Sequence, residues 1–260
     1  LLGGVLLAYA AFRKVTGSFA EIAVALVAWK RIRPLFDAAG RREITGALSS
    51  VPEAGSAQTV MEADGVAFRY RATGSPALQA CSLAIRKGER ILLEGPSGGG
   101  KTTFASLLSG LRHPEAGLLL AKGLDRHTLG ERGWHRCVSA APQFHENHIL
   151  TETLLFNLLM GRRWPPTADD CKQAETVCRE LGLGPLLDRM PAGIRQMVGE
   201  GGWQLSHGEK SRVYIARALL QDASLVILDE SFAALDPENL QVAMQCTLQH
   251  AETLLVIAHP

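Results

Sequence analysis

The sequence has almost no net charge: 27 Lys and Arg stand against 26 Asp and Glu, a formal balance of +1. The basic excess that marks nucleic-acid binders is missing, so no nucleic-acid partner is expected. Cysteine pairing is missing too. Cys81, Cys137, Cys171, Cys178 and Cys246 are odd in number and scattered, with no C-x-x-C pair. That spacing argues against a disulfide framework or a zinc ribbon and fits reduced thiols in a cytosolic domain. The apolar run Leu1 to Phe12 is shorter than the roughly 20 residues that cross a bilayer. A secretory leader would carry a basic stretch ahead of its apolar core, and none precedes this one. Internal repeats and low-complexity tracts are absent as well.

What is there is a chain of 260 residues, 47% hydrophobic and 20% charged. That is the composition of a globular protein, with length for one ordinary domain and an appendage. The first apolar run is followed by Arg13 and Lys14, a placement that favours a cytoplasmic exit. Two readings stand: the tail of a transmembrane helix, which the flanking charges favour, or a buried helix of a soluble protein. Residues 15 to 36 read as an amphipathic helix, because Phe19, Ile22, Leu26, Trp29, Ile32 and Phe36 recur at steps of three or four. This stripe is expected to be a packing face. Pro34 should kink or stop the helix.

Residues 38 to 58, rich in Ala, Gly, Ser and Arg, read as a linker. Beyond them short apolar runs alternate with helical patterns. VAFRY, LAIRK, ILLEG, GLLLA, VSAAP, LVILD and LLVIA are the candidate strands. Helices are expected at 101–109, 151–160, 169–182, 206–220 and 237–249. The alternation predicts an α/β domain with a mainly parallel core sheet. The earliest strands have no helix between them and predict an antiparallel β region at the domain start. The expected division is 1–38 for the end of a transmembrane helix and its cytosolic extension, 39–58 for a linker, and 59–260 for the α/β domain.

The segment GPSGGGKT, Gly95 to Thr102, follows the apolar run Ile91 to Leu93 and opens a helical stretch. This is G-x-x-x-x-G-K-[ST] in its strand–loop–helix context, the P-loop. Glycines let the backbone wrap an anion without a Cβ in the way, and the helix N-terminus presents partial positive charge to it. Lys101 reaches the β- and γ-phosphates, and the Thr102 hydroxyl ligates Mg²⁺. The nucleotide-contacting set is therefore Gly95, Pro96, Ser97, Gly98, Gly99, Gly100, Lys101, Thr102 and Thr103. A second apolar run, Leu225 to Leu228, ends in Asp229 and Glu230. An acid at the end of a buried parallel strand is where such an ATPase holds its metal, so Asp229 is the expected Mg²⁺ residue. Glu230, one residue on, is expected to orient or deprotonate the attacking water.

The segment LSHGEKSR, Leu205 to Arg212, lies just before that run. With it the sequence resembles the ABC ATPase family, in which LSGGQ stands at the same short separation before LVILDE. The resemblance covers residues 66 to 259 and implies further roles. Tyr70 in AFRY is the residue that stacks on adenine. Gln143 in APQF lies near the metal and the attacking water. Asp236 closes AALD, and His259 in IAHP is the switch histidine. Ser206 is a good N-cap residue, so a helix from 207 would present its positive end to an anion. The resemblance places Ser206 and Gly208 on the ATP held by the P-loop of a second subunit, implying a homo- or heterodimer. His207 stands where the family has glycine, and would be strained only if that position needs a positive φ.

MVGEGGWQ, Met197 to Gln204, resembles the VGExG segment of ABC exporters, whose acid (Glu200 here) lies near the membrane domain. WKRIRPLFD resembles the end of an exporter's last membrane helix. The resemblance thus implies an ATP- and Mg²⁺-dependent ATPase domain on the cytoplasmic face of a cell membrane, joined to a transmembrane domain. It also implies a domain truncated at its C-terminus. A soluble ABC-type ATPase and a regulatory cassette of an asymmetric transporter are the alternatives. His145 and His148 form H-x-x-H without a further ligand set and are read as part of the loop after Gln143, a segment that contacts the membrane domain in the family. Cys171 and Cys178 share a helix face and are expected to pack.

Overall fold

The computed structural model describes residues 59–71, 73–143 and 147–258, together with residues 4, 9, 12–14, 21–22 and 24–33 near the N-terminus. Two compact units separate by contact density, Leu1–Ile44 and Thr45–Pro260. In the first, residues 24–33 are helical, and Ile22, Leu26, Trp29 and Ile32 of the expected stripe are all exposed. Phe19, Pro34, Phe36 and the expected linker lie outside the described residues. Among those described, no helix is long and apolar enough to cross a membrane.

The second unit holds two sheets. Strands β1 (Thr59–Phe68), β2 (Leu78–Arg86) and β4 (Ala116–Ala121) form an antiparallel sheet in the order β2-β1-β4. Strands β3 (Arg90–Leu93), β5 (Val138–Ala141), β6 (Leu225–Asp229) and β7 (Leu254–Ile257) form a parallel sheet in the order β3-β7-β6-β5. Each of the apolar runs picked out from sequence lies within or overlaps one of these strands. β6 and β7 are buried along their whole length, so they read as unbroken apolar runs. β2 is half-exposed and alternates instead.

The helices are α1 (Lys101–Leu108), α2 (Arg126–Cys137), α3 (Leu154–Leu159), α4 (Ala168–Cys178), α5 (Gly184–Arg189), α6 (His207–Leu219) and α7 (Pro237–His250). A π-helical turn, Arg179–Leu183, joins α4 to α5. Sequence periodicity missed α2 and α5. α2 carries RHTLGERGWHRC, buries few apolar residues and breaks at Gly130, whose φ is 69°. A pattern so polar and interrupted gives little helical signal. Its start is fixed instead by Asp125, whose carboxylate accepts from the Thr128 amide.

Two apolar clusters make the interior. One lies between the antiparallel sheet, α1, α2 and one face of the parallel sheet, and includes Phe104, Leu107, Trp134 and Ile227. The other joins α3 to α7 to the opposite face and includes Leu158, Cys178, Ile215 and Leu228. Successive residues of β6 point alternately into the two, as the period of a strand requires.

Candidate nucleotide site

The register of the parallel sheet decides which residues meet. Leu93 pairs with Ile257, and Ile257 with Asp229. Leu228 pairs with Ala141 on the other side. The carboxyl ends of all four strands therefore form one edge, the position at which open α/β sheets bind ligands. The P-loop leaves β3 there, Glu230 follows β6, and Gln143 follows β5 by two residues.

Gly100 caps α1 with φ 83°, and a Cβ on it would lie 2.7 Å from the Ala77 carbonyl oxygen and 2.8 Å from Leu78 Cδ2. Only glycine fits this left-handed, close approach. From here the chain turns straight into α1, whose first ladder bond runs from the Phe104 amide to the Gly100 carbonyl. The Lys101 ammonium folds back over the loop, donating to the Gly95 carbonyl at 2.7 Å and the Pro96 carbonyl at 3.0 Å. Both bonds keep the ammonium over the loop, where an anionic acceptor would meet it with a stronger, charge-assisted bond. Pro96, Ser97, Gly98 and Gly99 form the exposed crest of the loop. Thr102 occupies the first turn of α1, and Thr103 is buried beside it.

Tyr70 is brought to the same place. Its hydroxyl lies 2.8 Å from Thr103 Oγ1, and its ring meets Phe68 edge-on at 5.2 Å. The Arg112 guanidinium covers the Tyr70 ring at 4.7 Å from its centroid, a cation–π contact that sequence reading missed. Arg112 lies just past α1 without motif context, so only the fold reveals it.

At the end of β6, Asp229 is 2% exposed. Glu230 has φ 51°, one of four non-glycine residues with positive φ among those described. Left-handed backbone at a glutamate costs about 1–2 kcal/mol, and such strain concentrates at functional sites. The Glu230 amide donates to the Ile257 carbonyl at 3.0 Å, and the Gln143 side-chain amide donates to Glu230 Oε1 at 2.7 Å. The hydroxyl of Thr102, the Asp229 carboxylate and the Gln143 amide are all hard oxygen donors, the set that suits Mg²⁺. Their chemistry therefore fits the ion. His259 and His145 lie outside the described residues.

Ser206 caps α6 in a full capping box. Its hydroxyl accepts from the Glu209 amide at 3.2 Å, and Glu209 Oε2 accepts from the Ser206 amide at 2.8 Å. Glu209 also pairs with Arg189 at 2.9 Å. His207 takes the first helical position and is not among the residues with positive φ. The substitution for glycine therefore carries no left-handed strain. Ser206 and His207 are exposed, leaving this helix end open to solvent.

Behind it Arg212, 9% exposed, donates to Gly182 O at 2.8 Å and to Asn239 Oδ1 at 2.7 Å, with a longer bond to Gly208 O. Asn239 in turn donates to the Asp236 carboxylate, which caps α7. Helix α6 and the AALD turn are thus linked by hydrogen bonds through Arg212 and Asn239. An Arg in a helix usually reads as a solvated position, so sequence gave no sign of this. Arg217, further along α6, holds the loop after Gln143 through Asn147 Oδ1 at 2.9 Å and the His148 carbonyl at 3.2 Å. Glu200, in the turn before α6, lines a shallow groove with His148, Lys210 and Tyr214.

A glycine loop on a helix N-terminus beside a buried aspartate at the adjoining strand ends defines a P-loop nucleotide-binding domain. A family model described as ABC transporter matches residues 78–233, and the chain belongs to that family. It is 34% identical over 257 residues to an ATP-dependent lipid A-core flippase of Dechloromonas aromatica (strain RCB), covering 98% of this chain and 42% of the flippase. It is 36% identical over 237 residues to the mycobactin import ATP-binding/permease protein IrtB of Mycolicibacterium thermoresistibile, covering 88% of this chain and 38% of that protein. A solved structure of a bacterial Atm1-family ABC exporter with ATP bound matches with a TM-score of 0.72 at 26% identity, over 92% of this chain and 40% of that one. The chain thus spans about two fifths of the length of these relatives.

Proposed function

We propose that this chain is the ATP-hydrolysing part of an exporter-type ABC transporter. The observation that carries this reading is the meeting of the P-loop, Asp229, Glu230 and Gln143 at one edge of the parallel sheet. ATP would lie with its phosphates along the amides of Gly98, Gly99 and Gly100, and its adenine against Tyr70. Lys101 would exchange its bonds to the Gly95 and Pro96 carbonyls for the β- and γ-phosphates. Glu230 holds the attacking water and takes its proton as the water oxygen bonds to the γ-phosphorus and the bond to the β-phosphate oxygen breaks. Gln143 fixes the rotamer of Glu230. Thr102, Gln143 and Asp229 would hold Mg²⁺, which when bound neutralises charge on the phosphates.

The exposed, serine-capped end of α6 supports a second nucleotide-binding domain whose ATP it completes, with Ser206 and Gly208 as the contact residues. Closure of two such domains would be transmitted by Arg212 to Asp236 and by Arg217 to the loop after Gln143. The groove beside Glu200 would receive the transmembrane domain. Membrane association on the cytoplasmic face follows from the same reading, as does His259 as the second polar group near the γ-phosphate. The division 1–38, 39–58 and 59–260 is the corresponding domain plan.

Crosslinking mass spectrometry on the full-length transporter in proteoliposomes tests the arrangement. With ATP present, the peptide carrying Ser206 is expected to join a P-loop peptide of a second polypeptide. Links confined to one polypeptide would overturn it. ATP-driven accumulation of substrate in inside-out vesicles tests the direction, since one relative is named for import.

A further inference from the structure

Remote from the strand-end site, the π-helical turn after α4 meets the last turns of α7. Glu180 on that turn and Cys246 and His250 on α7 bring one carboxylate oxygen, one thiol sulfur and one imidazole nitrogen within 4.8 Å of one another. Cys246 and His250 are four residues apart on one helix, so they lie one above the other on the same face. His250 Nε2 already contacts Glu180 Oε2. Cys246 is buried at 2% exposure, while Glu180 and His250 are exposed. The sulfur is therefore the buried member of the cluster, and the carboxylate and imidazole are its solvent-facing members.

A mixed S, N and O donor set is that of zinc, whereas Mg²⁺ and Ca²⁺ take oxygen alone. Zinc–ligand bonds place ligand atoms roughly 3.5 Å apart in a tetrahedron. Reaching that spacing would open the existing Glu180–His250 contact and draw the Cys246 sulfur towards both partners. We propose that Glu180, Cys246 and His250 form a zinc-binding site that clamps the π-helical turn after α4 to the end of α7. On binding, the Cys246 S–H bond breaks, its proton goes to solvent and a Zn–S bond forms, with no change of oxidation state. Solvent on the exposed side supplies the fourth ligand. No C-x-x-C spacing announces the site, because its ligands come from two elements 66 residues apart at their nearest, Glu180 and Cys246.

Cobalt(II) replaces zinc in such sites and reports thiolate ligation by a near-ultraviolet charge-transfer band. The full chain, titrated with Co²⁺ alone in Mg²⁺-free and nucleotide-free buffer, is expected to develop this band and saturate at one equivalent. Zinc should then bleach it. Cys246→Ser should abolish the band and Cys171→Ser should leave it intact. Because Cys246 is buried, the exposed changes Glu180→Ala and His250→Ala provide arms that leave the core untouched. Each should weaken zinc by roughly tenfold or more in competition with a chromophoric chelator. Absence of a thiolate–cobalt band in the unaltered chain, or unchanged affinity in both exposed variants, would overturn the site.

Discussion

Gln143 and Glu230 are joined by a 2.7 Å hydrogen bond between the loop after β5 and the residue after β6. The bond spans two neighbouring strands, so the conformation of the Gln143 loop and the aim of the Glu230 carboxylate are set together. Glu230→Gln keeps a side chain of the same size but removes the proton acceptor. Phosphate release is expected to fall about 10²–10⁴-fold, with ATP retained on a stable dimer. Single-turnover hydrolysis with radiolabelled ATP and size-exclusion chromatography measure the two effects. Normal turnover by this variant would contradict the role given to Glu230.

Gly100 makes a separate test of the P-loop. A methyl group there would meet the Ala77 carbonyl oxygen at 2.7 Å on a backbone with φ 83°. Gly100→Ala should cost about 1–3 kcal/mol of stability through strain and lose ATP binding beyond detection at millimolar nucleotide. Urea denaturation and a fluorescent-nucleotide titration check both. Gly88 also has a positive φ, 82°, but nothing lies within 4 Å of its Cβ position. Gly88→Ala should therefore cost less stability and leave nucleotide affinity unchanged.

These two sites show why the sequence was informative where it was. GPSGGGKT and LVILDE are contiguous, so local chemistry alone names their residues. The buried strands β6 and β7 announce themselves as apolar runs. The antiparallel sheet was expected at the domain start, and β1 and β2 form it. β4 joins them from beyond α1, a non-local pairing that periodicity does not carry. The links among Arg212, Asn239 and Asp236, and between Arg112 and Tyr70, are likewise long-range side-chain contacts. Arg112, Arg212 and Asn239, each taken in its own segment, look like ordinary solvated positions. The left-handed backbone of Glu230 is equally hidden, since glutamate gives no sign of a conformation imposed by the fold.

Arg212 is expected to matter more than its surface-type chemistry suggests. Removing it leaves the Gly182 carbonyl and Asn239 Oδ1 without their charged donor in a part-buried setting. Arg212→Ala should cost about 1.5–3 kcal/mol, the range for hydrogen bonds to a charged group. It should also uncouple α6 from the AALD turn, lowering hydrolysis more than ATP affinity. Arg212→Lys keeps the charge but not the planar fork, and should restore only part of either. Chemical denaturation and the kcat and KM of each variant test this. An alanine variant with both stability and kcat unaltered would show that the link is dispensable.

Three helices begin on an aspartate-containing cap whose carboxylate is held below its ordinary value of 3.8. At Asp236 the causes are the Asn239 amide and then its side chain. At Asp125 they are the Thr128 amide and then its hydroxyl. At Asp170 they are the Thr167 hydroxyl and then its amide. Each depressed group binds a proton more readily in the unfolded chain than in the folded one. Its contribution is therefore fully present above the unfolded value and is lost as pH falls through the lower folded value. Stability is expected to be flat with respect to these groups at neutral pH and to decline below about pH 4. Asp236→Asn retains an oxygen to accept from the Asn239 amide but has no proton to gain. It should lower stability slightly at neutral pH through the lost charge at a helix N-terminus and make the acid limb shallower. Urea unfolding midpoints measured from neutral pH down to about pH 3 decide the matter. An acid limb as steep in Asp236→Asn as in the unaltered chain would remove Asp236 from the groups that drive acid unfolding.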